Sequence, residues 1–135
     1  MNIKRVNHLG VLVEDLDGAI RSFTENLGLT LDHVEPYGDE LEIAFLPCGE
    51  TLIELIKPLT DKGSNADFLR EHGPGIQHAA FEVEDLDAAL DELKARGVQP
   101  LGDDAPMPGA GGMRIAFLDP KAFGGILVEL CERVA

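Results

Sequence analysis

Apolar and polar residues follow a regular plan along this chain. Residues 6–13 form an apolar-rich, β-favouring run that predicts a strand. Asp15 or Asp17 can then cap a helix, in which Ala19, Ile20, Phe23 and Leu27 recur at helical spacing and Gly28 marks the end. Three short strands are expected next, near 30–35, 41–46 and 51–57. The second half reads alike: a strand at 76–83, a helix at 86–96 stopped by Gly97, and strands near 98–101, 113–118 and 125–131. Between the halves, a stretch rich in proline and glycine predicts a connection with a short helix at 65–71. Gly109-Ala110-Gly111-Gly112 reads as a mobile loop.

The halves are related in sequence as well as in pattern. Val-Glu-Asp-Leu-Asp occurs at 13–17 and again at 83–87, 70 residues later, and His8 then falls on His78. Each half also closes on an apolar run holding one glutamate, Glu54 in the first and Glu129 in the second. The expected organisation is therefore α+β, with two tandem βαβββ modules in a single domain: module one 1–60, a connection at 61–73, and module two 74–135.

Strand alternation makes those four polar residues conspicuous. A carboxylate in a leucine-rich strand is costly if buried and unpaired. One reading leaves each glutamate facing water and each histidine as an ordinary hydrogen-bonding residue. The other gathers His8, Glu54, His78 and Glu129 around one divalent first-row metal ion, which suits a mixed imidazole and carboxylate set and leaves positions open for substrate. Repeat-matched placement of all four argues for the metal. His33 and His72 lack repeat partners and read as surface residues.

Composition narrows the partners. With 25 acidic and 11 basic residues the net charge is −14, which disfavours nucleic acid and anionic membrane surfaces. No apolar run is long enough to span a bilayer, and no export signal is visible, so a cytoplasmic protein is expected. Cys48 and Cys131 read as reduced, packed thiols.

With these features the chain resembles the vicinal oxygen chelate superfamily, and within it the methylmalonyl-CoA epimerases. The resemblance is carried by His8-Leu9-Gly10-Val11, by Ile53-Glu54-Leu55-Ile56-Lys57-Pro58-Leu59, by Gly75 through Val83, and by Arg114-Ile115-Ala116-Phe117-Leu118-Asp119-Pro120-Lys121 through Leu130. It departs from the epimerase pattern at Gln77, Gly111 and Asp119, none of them an expected ligand. The resemblance implies a cupped mixed sheet around a metal site, an acyl-CoA thioester substrate and a homodimer. It implies one divalent ion per chain, Co2+ before Ni2+, Mn2+ or Zn2+. It implies epimerisation at C2 of methylmalonyl-CoA through an enolate, with Glu42 and Glu129 as the two acid/base groups. Lys121 and Arg114 are the cations expected near the substrate. Two alternatives share the fold: a glyoxalase I-type lactoylglutathione lyase, with the same ligand set, and a metal-free small-molecule-binding protein. The Pro120-Lys121-Ala122-Phe123-Gly124-Gly125 stretch and the linker phrase Ala66-Asp67-Phe68-Leu69-Arg70 favour the epimerase. Metal-free members tend to lack the four ligands.

Overall fold

The computed structural model describes residues 1–134, and the expected βαβββ pattern occurs twice. The first five elements are β1 (Ile3–Leu12), α1 (Leu16–Leu27), β2 (His33–Tyr37), β3 (Leu41–Cys48) and β4 (Thr51–Pro58). A connecting helix, α2 (Ser64–His72), follows. The second five are β5 (Gly75–Val83), α3 (Leu86–Ala95), β6 (Met107–Pro108), β7 (Met113–Leu118) and β8 (Leu127–Arg133). By contacts the chain forms two compact units. One comprises residues 8–77, the other residues 78–135 together with 1–7.

In the unit of residues 8–77, β2 pairs antiparallel with β3 and β3 antiparallel with β4, while β4 runs parallel to β1. Helix α1 starts where Asp15 accepts a bond from the Gly18 amide at 3.0 Å and ends at Gly28 in the left-handed conformation. Its apolar stripe of Ala19, Ile20 and Phe23 covers Ala44, Leu46 and Leu55, so one face of this sheet is core.

The other unit repeats the design. Parallel β5–β8 is extended antiparallel by β7 and then β6. Asp85 caps α3 through the Ala88 amide at 3.0 Å. Leu86, Leu90 and Leu93 pack on Ala116, Leu118 and Leu130. A second apolar cluster, Ala80, Met113, Ile115 and Cys131, occupies the opposite face.

Three features differ from the sequence expectation. No strand forms at 98–101. Pro100 makes only an isolated bridge to Leu118, because a proline has no amide to extend a ladder. The second strand of the second module is instead Met107–Pro108, at the sheet edge, where a missing amide is tolerated. The glycine stretch before β7 folds into a 3-10 turn, Ala110–Gly112. Gly109 is required there, since a Cβ would lie 2.5 Å from the Ile115 side chain. Finally, Cys48 is exposed rather than packed, while Cys131 is buried.

Candidate functional site

Each unit buries one histidine–carboxylate pair. In the first, His8 on β1 and Glu54 on β4 are brought together by the parallel register, with His8 level with Leu52 and Gly10 level with Glu54. His8 Nδ1 lies 3.3 Å from Glu54 Oε2. In the second, β5 and β8 do the same for His78 and Glu129, with Nε2 to Oε1 at 3.2 Å. All four residues are at most 6% exposed. The reading in which the glutamates face water is excluded by this burial.

The separations also suit a shared cation within each pair. Bonds of about 2.1 Å to one ion put neighbouring donors about 3.0 Å apart in an octahedral shell. Imidazole nitrogen beside carboxylate oxygen is the donor chemistry of a divalent first-row metal. Each pair on its own thus offers donor chemistry that suits such an ion.

Each pair carries an aromatic neighbour. Phe45 on β3 stands opposite Glu54, and Phe117 on β7 stands opposite Glu129. Phe117 meets the His78 ring edge-on, with centroids 5.2 Å apart at 81°. Phe45 stacks on His33 at 4.5 Å. The signal for these residues lies in the sequence: Ile-Ala-Phe-Leu occurs at 43–46 and again at 115–118. His33 is exposed, as expected, and its ring nitrogens contact Glu35 at 2.8 Å and Asp32 at 2.6 Å. The bond to Glu35, then that to Asp32, holds its imidazole above the usual histidine range.

The register places two of the expected residues on the helix side. Glu42 pairs with Lys57, and Phe45 with Glu54, in an unbroken antiparallel ladder. Residues paired across a ladder share a face, and neighbours along a strand do not. Phe45 and Ile43 thus share the face of Glu54. Glu42 shares the opposite face with Ala44 and Leu46, the side covered by α1. It is half-buried there. Arg114 holds the equivalent place before the second Ile-Ala-Phe-Leu. Its guanidinium reaches Glu132 at 2.8 Å and Asp87 of α3 at 3.3 Å, so it is committed to ion pairs on the helix side rather than to a substrate. Lys121 is exposed in a 3-10 turn, with its amide bonded to Asp119 at 3.0 Å.

A further buried carboxylate is Glu82 on β5, 1% exposed and bonded by Asn7 Nδ2 at 3.0 Å. Burial raises its pKa. The Asn7 bond and the charges of Arg5, Arg133 and Lys4 outweigh that effect and hold it below the ordinary carboxylate value.

Known proteins match this architecture over nearly its whole length. The family model described as Glyoxalase/Bleomycin resistance protein/Dioxygenase superfamily matches residues 7–117. The ethylmalonyl-CoA/methylmalonyl-CoA epimerase of Cereibacter sphaeroides is 38% identical, over 95% of this chain and 97% of that protein. The crystal structure of methylmalonyl-CoA epimerase from Mycobacterium tuberculosis is similar with a TM-score of 0.92 at 36% identity, covering 98% of this chain and 90% of that one. A methylmalonyl-CoA epimerase in complex with methylmalonyl-CoA and an ammonium ion gives a TM-score of 0.91 at 28% identity, covering 99% and 97%.

Proposed function

We propose that this chain, which belongs to the methylmalonyl-CoA epimerase family of the glyoxalase/bleomycin resistance protein/dioxygenase superfamily, interconverts the C2 stereoisomers of methylmalonyl-CoA. The observation that carries the reading is the pair of repeat-matched, buried His–Glu contacts, His8–Glu54 and His78–Glu129. The four side chains together are the ligands we assign to one divalent ion. When bound, such an ion polarises the carbonyl oxygens flanking C2 and stabilises the negative charge that develops on them.

The chain's own residues move the proton. Epimerisation breaks the C2–H bond, leaves its electron pair in an enolate, and returns a proton on the opposite side. Two acid/base groups are required. Glu129 is one. For the other, the face of Glu54 carries Ile43 and Phe45 on β3, neither of which can accept a proton. We therefore assign the second role to Glu54, the repeat equivalent of Glu129, in place of Glu42. Phe45 and Phe117 flank the two carboxylates and exclude water from them.

The test is turnover of methylmalonyl-CoA after metal removal and reloading with cobalt, nickel, manganese or zinc, with a glutathione hemithioacetal as the competing substrate. Solvent deuterium incorporated at C2, with cobalt most active, is the expected result. Turnover of the hemithioacetal alone would overturn the assignment. We further propose a cytoplasmic homodimer, on the support of two cysteines outside any disulfide and of open β-strand edges such as β2 and β6. Sedimentation at micromolar concentration should give about 29 kDa, twice the chain mass of 14.5 kDa.

A further inference from the structure

Glu82 is the buried carboxylate for which the reaction has no use. Three cations surround it: Arg133 Nη2 at 3.6 Å, Lys4 Nζ at 3.7 Å and Arg5 Nη1 at 4.0 Å. All three stand beyond hydrogen-bond reach, so they act on Glu82 through charge while their N–H donors are not spent on it. Arg5 Nε is buried with no hydrogen-bond partner among the described residues. One cation is enough to balance one buried carboxylate. Three leave a local excess of two positive charges, in a chain whose net charge is −14 and which holds only 11 basic residues. The side chains of Arg133 and Lys4 are 65% and 38% exposed, so the excess faces solvent.

We propose that Lys4, Arg5 and Arg133, gathered around Glu82, form a phosphate-binding site for the nucleotide end of a coenzyme A thioester. The inference rests on the epimerase reading and deepens it. Such a substrate carries several negative charges, which the acidic surface repels at long range. A local cationic site answers that repulsion, and arginine forks match phosphate geometry. Its position is suitable. Arg133 lies four residues beyond Glu129 on β8 and on the same face, which places the two backbone positions about 13 Å apart. Glu82 keeps the cations together and neutralises only part of their charge.

The experiment compares methylmalonyl-CoA with methylmalonyl-pantetheine, which lacks the nucleotide, and titrates the protein with free coenzyme A and with pantetheine. In the Lys4→Ala/Arg133→Ala double variant, kcat/KM for the CoA thioester should fall at least tenfold, mainly through KM. The ratio of CoA to pantetheine activity should collapse toward one, and coenzyme A affinity should weaken in step. Arg133→Lys should keep most of the preference. Equal losses on both thioesters, or none on either, would overturn the proposal. If the unaltered protein turned over neither thioester, the epimerase reading would fail. Coenzyme A binding, weakened or not by the double substitution, would still decide the site.

Discussion

A single residue's position on one face or the other decides its chemistry in this protein. Glu42 and Ile43 are neighbours, yet only Ile43 shares the face of Glu54. Glu42→Gln should accordingly leave epimerisation within about twofold of the unaltered rate. Glu129→Gln should lower kcat by roughly 10²–10⁴, the usual range for a lost acid/base group, and weaken metal binding as well. Steady-state rates and metal content on the same preparations check both. Glu82 makes a different prediction. Its carboxyl is held below the ordinary value of 4.5, so its contribution to stability is present above that value and is lost as the pH falls through the lower, native one. Unfolding midpoints should drop below about pH 4.5, and Glu82→Gln should flatten that part of the profile.

At the scale of elements, the repeat made much of the fold legible. The caps Asp15 and Asp85 sit where the sequence repeat places them, since an Asx side chain and a free helix amide need only local chain to meet. Replacing either by alanine should cost about 1 kcal/mol, measured by denaturant unfolding. The His–Glu pairs were legible too, because β-alternation shows which residues of one strand lie together. Alternation does not show which face of the next strand they match. That depends on register, a non-local property, and it is register that puts Glu42 and Arg114 on the helix side. The repeated Ile-Ala-Phe-Leu carries the missing information, because Arg114 visibly faces α3 and Glu42 holds its counterpart position. The second strand of module two is hidden for another reason: proline weakens a strand signal at both 100 and 108, and only the sheet edge accommodates the second.

For the whole molecule, charge and metal set the conditions of stability. A net charge of −14 makes the compact state repel itself, so moderate salt should raise the melting temperature. Saturating the proposed site with cobalt at 100 times its dissociation constant should add about 2.7 kcal/mol, read as an upward melting shift that chelator reverses. The division of the chain has its own consequence. Residues 1–7 group with residues 78–135, not with the residues that follow them. The beginning of the chain is thus a strap belonging to its end. Clipping the first five residues would strip Lys4 and Arg5 from a carboxylate that sits 1% exposed, and so damage the far half of the sequence while the near half kept its own ladder. That truncation therefore perturbs the His78–Glu129 half first, which hydrogen exchange would register as early opening of β5 and β8 with β3 and β4 still protected.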